Sequence, residues 1–337
     1  MRYYRTGRPD SALSYATGLL FILALLAHHS AAAAWHQQQR DIMGTRITVE
    51  LWHEENTVAA DCSEKVFTEM SRIEALMSSY ISTSELSFIN NNAAISTVEI
   101  SDEMGQLIEK SLYFSEISHG AFDITYASVG YAYDYRKRQQ PSDDEISSAL
   151  PAIDYHHIEL ANNAIRFRNS GVRIDLGGIA KGYAVDRAAD IVKQCGVSEA
   201  LITAGGDSRI IGDRHGRPWI IGIQHPRDTD GIALRLPLSD SAISTSGDYE
   251  RFFIDNGKRV HHIIDPTTGR SAGASWSATV TGPDAMTTDA LSTTIFILGA
   301  IEGLALIESL EGIDAIIIDS NGKLHYSSGF APPESEG

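Results

Sequence analysis

The sequence predicts an α+β fold, with mixed sheets and packed helices in a single unit. Some segments place apolar residues at helical spacing and others alternate them as strands do, and the two kinds follow one another without strict alternation. No Pro- or Ser-rich linker divides the 337 residues. We therefore expect one folded unit over residues 35–331, with a leader at 1–34 and a flexible tail at 332–337.

Residues 1–34 have the pattern of a secretion signal peptide. Three arginines lie within the first eight residues, Ala12–Ala27 is apolar, and Ala31–Ala34 offers a small-residue cleavage site before Trp35. The uninterrupted apolar core is short for a membrane span, although an uncleaved N-terminal anchor is the alternative. We expect an exported protein of the periplasm, associated with the inner membrane if the signal is not cleaved.

The acidic composition of the chain limits the kinds of ligand that it can bind. The formal net charge is −17, so the chain should not bind nucleic acid non-specifically, and a phosphate ligand would need a local cation. The two cysteines, Cys62 and Cys195, lie on the apolar faces of two predicted helices. We expect two buried free thiols, with a disulfide as the alternative.

The stretch Arg173–Asp207 reads as strand, glycine turn, helix, strand and glycine turn. Arg173–Leu176 is the first predicted strand, Gly177–Gly178 the turn, and Ala200–Thr203 the second strand. Exposed N–H groups at such a turn, together with Lys181 in the first helical turn, favour an anion. The alternative is a plain strand–helix connection with a solvated lysine.

The other elements follow from spacing and capping residues. Asn56, Ser84, Ser101 and Ser142 are each predicted to cap a helix. Further helices are expected at Met286–Leu298, ended by Gly299, and from there to Leu310. Strands are expected within Gln37–Leu51 and at Trp219–Gln224, Leu234–Leu238, Trp276–Thr281 and Asp314–Asp319, the last in a hairpin with a type I′ turn at Asn321–Gly322.

Asp289 and Thr293 are four residues apart on the otherwise apolar helix Met286–Leu298. Both side-chain oxygens therefore project from one face, about one turn apart. A carboxylate and a hydroxyl on a buried helix need a partner, and Mg²⁺ prefers oxygen ligands. The alternative is that Asp289 caps the helix or faces solvent while Thr293 bonds to its own backbone.

Three further residues are candidates for chemistry. His262 lies shortly before Asp265, and its imidazole could accept a proton from a hydroxyl nucleophile, although a structural role is the alternative and His261 is a neighbouring candidate. Asp123 and Asp175 could cap turns or contact a ligand. The chain has no Walker loop, nucleophile elbow, HExxH motif or Rossmann glycine pattern.

The order of the motifs is more specific than any one of them. Taken together they resemble the ApbE family, the FAD:protein FMN transferases, over about residues 43–319. The motifs that carry the resemblance are Met43-Gly44-Thr45, Tyr80 with Ser84-Glu85, Gly120-Ala121-Phe122-Asp123, Asp175-Leu176-Gly177-Gly178-Ile179-Ala180-Lys181-Gly182, Gly205-Gly206-Asp207, Thr245-Ser246-Gly247-Asp248-Tyr249, His262-Ile263-Ile264-Asp265-Pro266 and Met286 with Asp289-Ala290-Leu291 and Thr293.

This resemblance implies an ApbE-like, T-fold-like architecture and a magnesium-dependent exported enzyme. Such an enzyme transfers the FMN half of FAD to a Thr or Ser hydroxyl of an acceptor protein and releases AMP. Family acceptors carry a motif like D-x-x-x-[ST]-G-A-[ST] and include subunits of membrane redox complexes. A FAD pyrophosphatase and a non-catalytic periplasmic FAD-binding protein are the competing interpretations.

The resemblance also implies roles for individual residues. His262 and Asp289 would be catalytic, with His262 assisting removal of the acceptor proton. Asp289, Thr293 and Gly178 would hold Mg²⁺, Gly178 through its carbonyl. Lys181 departs mildly from the family, since some members have Glu there. FAD contacts would fall at Met43, Tyr80, Ala121, Phe122, Asp123, Asp175, Lys181 and Ile264.

Overall fold

The computed structural model describes residues 1–2 and 34–330. The predicted signal peptide, apart from residues 1, 2 and 34, and the tail at 332–337 lie outside the described residues. The helices are α1 (Asn56–Met77), α2 (Glu85–Asn92), α3 (Asp102–Ile117), α4 (Ala127–Gly130), α5 (Asp143–Ala149), α6 (Ala180–Gln194) and α7 (Ala285–Glu308). The strands are β1 (Ala34–Ile42), β2 (Thr45–His53), β3 (Val98–Glu99), β4 (Ile158–Ala161), β5 (Ala164–Phe167), β6 (Ala200–Ala204), β7 (Asp207–Ile211), β8 (Trp219–Gln224), β9 (Ile232–Leu238), β10 (Ala242–Gly247), β11 (Phe252–Asp255), β12 (Lys258–His261), β13 (Ile264–Asp265), β14 (Arg270–Ser271), β15 (Ser275–Gly282), β16 (Asp314–Asp319) and β17 (Leu324–Tyr326).

One sheet of eight strands forms the centre of the molecule, in the order β1-β2-β6-β7-β10-β15-β16-β17. A three-stranded sheet, β3-β5-β4, and the hairpins β8–β9, β11–β12 and β13–β14 are separate from it. Every pairing among the described strands is antiparallel. The combination of helices with antiparallel sheets agrees with the predicted α+β class.

Helices α1, α6 and α7 pack on the large sheet and on one another. Alternation along β2 explains how the sheet contributes to this core, because Ile47, Val49 and Leu51 are fully buried while their neighbours are less so. Burying each such side chain stabilises the fold by about 1.5–3 kcal/mol. The hairpin β8–β9 packs separately, with Ile223 and Leu236 against Ile243 and Ile316 of the large sheet.

Helix α7 carries the predicted metal ligands through the core. Gly299 interrupts it with a left-handed φ of 76°, which confirms the prediction of two helical segments that meet at this residue. Among the described residues it is the one helix whose length and mean hydropathy of 1.9 would suit a membrane span. Half of that apolar stretch is buried inside the protein, and the helix packs on β10, β15 and β16, as a core helix does.

The predicted serine caps are confirmed. Ser84, Ser101 and Ser142 each accept a hydrogen bond from a backbone N–H in the first turn of α2, α3 and α5. Asn56 does not cap α1, because Glu55 takes that position and the Asn56 side chain is bonded to His36 Nε2 at 2.7 Å instead. A tertiary contact thus competes successfully for the predicted capping group.

Two details of the turns differ from expectation. The final hairpin has no type I′ turn, because only Gly322 has positive φ and the Asp319 side chain accepts hydrogen bonds from Asn321 and Lys323. A turn with both central residues at positive φ instead joins β1 and β2, at Met43 (φ 56°) and Gly44 (φ 68°).

Cys62 and Cys195 form a disulfide, so our expectation of two free thiols is wrong. Cys62 is fully buried on α1, and Cys195 lies at the C-terminal end of α6, with 6.1 Å between the two Cα atoms. The residues are 133 positions apart, and only the packing of α6 on α1 brings them together. The disulfide therefore links α6, the helix that begins at the glycine turn, covalently to α1 in the core.

We expect reduction of this disulfide to lower the free energy of unfolding by about 5 kcal/mol, because it closes a loop of more than 100 residues in the unfolded chain. Urea unfolding with and without dithiothreitol measures the effect. The double variant Cys62→Ala/Cys195→Ala should match the reduced protein and be insensitive to dithiothreitol. Equal unfolding midpoints for the oxidised and reduced wild-type proteins would contradict this prediction.

Gly182, in the first turn of α6, allows α6 and α7 to approach closely. A Cβ atom at Gly182 would lie 2.2 Å from the Ala285 carbonyl oxygen and 2.8 Å from the Asp289 Cβ atom. Neither group can be moved by rotating a flexible side chain. The position therefore requires glycine for space, and this contact brings the N-terminus of α6 against Asp289.

Gly182→Ala should destabilise the protein by about 3 kcal/mol, because the added methyl group forces the two helices apart. Gly273→Ala is the matched control, since a Cβ atom at Gly273 would meet nothing within 4 Å. Its effect should stay within about 0.5 kcal/mol. Chemical denaturation of the three proteins measures both values, and equal stabilities of the two variants would show that the close approach is not required.

Candidate active site

The glycine turn that precedes α6 is held by side chains and not by a strand. Our prediction of a strand at Arg173–Leu176 is wrong, since this segment runs outside every sheet. The Asn90 side chain makes two hydrogen bonds of 2.8 Å to the backbone of Ile174, and Asp175 donates its N–H to the Ile124 carbonyl. The segment is thereby fixed without a neighbouring strand.

The Asp175 carboxylate holds the glycine turn in place through hydrogen bonds. Its Oδ1 atom accepts hydrogen bonds from Gly177 N at 2.8 Å and from the Tyr126 hydroxyl at 3.2 Å. Its Oδ2 atom accepts one from Ser79 Oγ at 2.8 Å. Tyr80, the next residue, is 87% exposed, so an aromatic ring is presented to solvent beside this carboxylate.

A buried ion cluster lies just beyond the turn. The Lys181 ammonium bonds to Asp207 Oδ2 and lies 3.3 Å from Asp289 Oδ1, while Gly182 N donates to Asp289 Oδ2 at 2.9 Å. Asp207 and Asp289 are only 1% and 2% exposed. Two buried carboxylates thus share one ammonium group, which leaves an excess of negative charge in the interior.

The pKa values of this cluster reflect that imbalance. Burial raises the pKa of Asp289, and the neighbouring Asp207 carboxylate raises it further, while Lys181 lowers it. For Lys181, burial lowers the pKa, but the two carboxylates outweigh burial and raise the pKa of the ammonium above its usual value. The lysine therefore remains charged, and the carboxylate pair retains capacity for a second cation.

Two of the three predicted metal ligands, Gly178 and Thr293, are near each other. A Cβ atom at Gly178 would be 3.5 Å from Thr293 Oγ1 and 3.2 Å from the Phe122 ring, so the glycine turn directly faces this part of α7. Thr293 is half-buried, and its hydroxyl is 3.2 Å from Ser246 Oγ on β10. Among the described residues there is no cluster of three or more His, Cys, Asp or Glu side chains that could hold a metal.

The structure resolves the alternative roles that the sequence left open for α7. Asp284 is the N-cap, accepting a hydrogen bond from Thr287 N, so Asp289 is neither a cap nor solvent-facing. Thr294 bonds to the Ala290 carbonyl of its own helix at 2.7 Å, whereas the recorded bond of Thr293 goes to Ser246. The oxygens of Asp289 and Thr293 therefore face α6 and the sheet.

The two adjacent histidines have different environments. His261 is buried, with Nε2 bonded to the Ala272 carbonyl and Nδ1 accepting from Ile263 N, so it is structural. His262 is half-buried, and its Nδ1 atom is buried without a hydrogen-bond partner among the described residues. Burial, together with the charge of Arg251, lowers the pKa of His262 to about 3. The imidazole is therefore neutral, and one of its ring nitrogens has no partner among the described residues.

Three other predicted FAD contacts are Met43, Ala121 and Ile264. Met43, in the β1–β2 turn, donates its N–H to Glu74 Oε1, and Gly44 O in the same turn accepts from Arg251 Nη2 at 3.2 Å. Ala121 and Ile264 are buried, Ile264 within a separate apolar cluster. Their side chains do not reach the ion cluster.

Asp123 is also engaged by the protein itself. Its oxygens accept hydrogen bonds from Thr125 N, Thr125 Oγ1 and Tyr155 N at 2.6–2.9 Å, and it is 6% exposed. Burial raises the pKa of Asp123 to about 6, although these bonds oppose the shift. Its side chain has the capping geometry that we weighed against a ligand contact.

Sequence reasoning missed several residues that the fold adds to the site. Asp207 was recognised only as part of a motif, and Ser246 and Arg251 were not assigned a role. The available signal for Asp207 was an acidic residue directly after two glycines at the end of a strand. Nothing local in the sequence indicates that Arg251 contacts the β1–β2 turn, more than 200 residues away.

An antiparallel sheet thus carries two helices that hold a buried ion cluster, and the chain also presents a histidine whose Nδ1 atom has no partner among the described residues. The family model of the ApbE family matches residues 43–317. The ApbE protein of Thermotoga maritima is 34% identical, with a TM-score of 0.81 over 88% of this chain and 98% of that one. The flavin transferase ApbE of Vibrio cholerae is 26% identical, with a TM-score of 0.79 over the same shares.

Curated relatives agree with these structures. The FAD:protein FMN transferase of Haemophilus influenzae is 32% identical over 304 residues, covering 85% of this chain and 87% of the relative. That of Treponema pallidum is 30% identical over 287 residues, covering 79% of each. The chain belongs to the ApbE family, which confirms the resemblance, and it is a transferase enzyme.

The raised pKa of Asp123 predicts a pH dependence of stability. Between about pH 4 and 6 the folded chain retains a proton on Asp123 that the unfolded chain has lost, so the free energy of unfolding should fall as pH rises through this range. The shift of about two units corresponds to roughly 3 kcal/mol. Asp186, whose pKa burial also raises to about 6, contributes a similar slope, so Asp123→Asn should make the profile less steep without abolishing it, whereas Asp190→Asn, at an exposed position, should leave it unchanged. Urea titrations at each pH measure the slopes, and parallel profiles for Asp123→Asn and wild type would refute this assignment.

Proposed function

We propose that this enzyme transfers the FMN moiety of FAD to a Thr or Ser hydroxyl of an acceptor protein, with release of AMP and with Mg²⁺ as cofactor. The observation that carries the proposal is the close approach of the Gly178 turn to Thr293, one helical turn from Asp289 in a buried cluster where two carboxylates share one ammonium group. The names of the relatives, FAD:protein FMN transferase, support the same reaction.

The donor set fits the proposed cofactor. The Asp289 carboxylate, the Thr293 hydroxyl and the Gly178 carbonyl are oxygen ligands of the kind that Mg²⁺ prefers, and few carboxylates are needed when substrate phosphates complete the shell. Bound there, Mg²⁺ would supply Lewis-acid stabilisation of the pyrophosphate charge. A local cation also answers the electrostatic problem of binding a dianionic substrate to a chain of net charge −17.

The chain's own residues account for the remaining steps. The acceptor oxygen forms a bond to the FMN phosphorus while the bond from that phosphorus to the AMP oxygen breaks. His262, whose side chain is half-buried, is the proposed acceptor of the hydroxyl proton, through the part of its ring that remains accessible. Its low pKa in the free protein should rise when phosphate charge lies nearby, since an anion stabilises the imidazolium.

We also propose that the enzyme works outside the cytoplasm, in the periplasm, on subunits of membrane redox complexes that carry a D-x-x-x-[ST]-G-A-[ST]-like motif. The signal pattern in residues 1–34 and the Cys62–Cys195 disulfide support export, because disulfides persist in oxidising compartments. The excess acidic charge gives no support to a nucleic acid partner.

Thr293→Val should reduce FMN transfer by 10²-fold or more, because it removes one proposed ligand with little change in volume. Asp289→Ala should abolish transfer. Thr294→Val, at the next position of α7 but bonded to its own helix, is the matched control and should retain most activity. The assay incubates purified protein with FAD, Mg²⁺ and an acceptor domain and follows flavin that remains attached to the acceptor after denaturation.

The products separate the competing functions. Free FMN and AMP with an unlabelled acceptor would indicate a FAD pyrophosphatase, and binding without turnover would indicate a FAD-binding protein. Unchanged transfer by Asp289→Ala would refute the metal assignment.

A further inference from the structure

Two arginines share a single carboxylate directly after β10. Asp248 is 5% exposed and accepts hydrogen bonds from Arg227 Nη1 and Nη2, each at 2.7 Å. Arg259 Nη1 donates to the Asp248 backbone oxygen at 3.3 Å, and its Nε atom is 3.7 Å from Asp248 Oδ2. One carboxylate neutralises one guanidinium group, so the cluster keeps a positive charge in a strongly acidic protein, and the Arg227 and Arg259 side chains are 28% and 24% exposed.

Aromatic and apolar side chains lie next to the two arginines. The Arg227 guanidinium lies 4.1 Å from the Trp276 ring centroid, and that of Arg259 lies 3.8 Å from the Phe252 ring centroid. Ile254, opposite Arg259 in the β11–β12 pair, is 56% exposed, and Phe252 is 40% exposed. We call Arg227, Phe252, Ile254, Arg259 and Trp276 the hairpin surface. Arginine and aromatic residues are enriched in protein–protein interfaces.

The backbone links the hairpin surface to the candidate active site at two points. His262 follows Arg259 by three residues, or about 10 Å of extended chain at 3.3 Å per residue. Asp248 precedes Glu250 by two residues, and Lys181 and Asp207 are close enough to Glu250 to influence its pKa. A protein that presents a hydroxyl to His262 would therefore come close to the β11–β12 hairpin, which ends one residue before it.

We propose that the hairpin surface binds an acidic segment of the acceptor protein and so positions the acceptor hydroxyl at His262. This inference rests on the proposed function, because it presupposes a protein acceptor. A positive patch on an otherwise acidic protein selects acidic partners and speeds their encounter, while Phe252 and Ile254 supply apolar contact area.

The test uses the full mature enzyme and a folded acceptor domain whose hydroxyl-bearing segment contains acidic residues. In Arg259→Gln, Asp248 keeps both bonds from Arg227, so the fold should be maintained. We expect KM for the acceptor to rise about tenfold, with kcat and FAD affinity unchanged, and the salt dependence of KM to weaken. Ile254→Ser should raise the same KM severalfold with the salt dependence unchanged.

Matched controls lie elsewhere on the surface. Arg168→Gln removes an exposed arginine paired with Glu159, and Ile95→Ser removes an isoleucine that is 79% exposed. Both should leave KM for the acceptor unchanged. An acceptor domain with its acidic residues changed to amides should bind wild-type enzyme and Arg259→Gln equally weakly.

The outcomes separate this inference from the proposed function. Wild-type transfer with an unaltered acceptor KM in Arg259→Gln and Ile254→Ser would overturn the hairpin surface alone. If the wild-type enzyme transfers no FMN, the proposed function fails, and titration of the acceptor domain into FAD-free enzyme then decides the matter. Equal affinity of wild type and Arg259→Gln in that titration would overturn the inference, and weaker binding by the variant would support it.

Discussion

The arrangement of Lys181 between the Asp207 and Asp289 carboxylates is the constraint on which the rest of the site depends. The lysine comes from α6, one carboxylate from the large sheet and the other from α7, so a single ammonium group joins three elements. Buried charges are tolerated only when they are paired and hydrogen-bonded. The Gly182 N–H accordingly donates a further hydrogen bond to Asp289. Because the pairing is incomplete, the same cluster that organises the core also favours a further cation.

The scaffold around this cluster is built to hold α6 in one place. Gly182 lets α6 approach the first turn of α7, and Asp186 of α6 accepts hydrogen bonds from the backbone N–H groups of Ala285 and Met286. At its other end α6 is covalently joined to α1 through Cys195. The glycine turn that faces Thr293 is therefore attached to a helix fixed at both ends, which keeps the proposed ligands at a constant separation.

The charged groups near the β11–β12 hairpin form two sets, one around His262 and one around Asp248. Toward the ion cluster, a neutral His262 with a free nitrogen lies near the positive charges of Arg251 and Lys181, an environment suited to phosphate. On the outer side, Arg227 and Arg259 hold a positive charge that Asp248 does not neutralise. Positive charge that no carboxylate neutralises thus lies where the acidic partner is proposed to bind, whereas at the ion cluster the proposed cation would supply it.

The sequence by itself determined the fold class, the serine-capped helices, the break at Gly299 and the placement of Asp289 and Thr293 on one helical face, because each depends on contacts within a few residues of chain. It also determined the family, through the order of its motifs. Only the tertiary structure decided the disulfide, the pairing of Lys181 with Asp207, the separate roles of His261 and His262, and the loss of the predicted strand at Arg173–Leu176. Each of these depends on groups distant in sequence, such as Cys62 with Cys195 or Asn90 with Ile174, and local periodicity carries no information about which distant groups will meet.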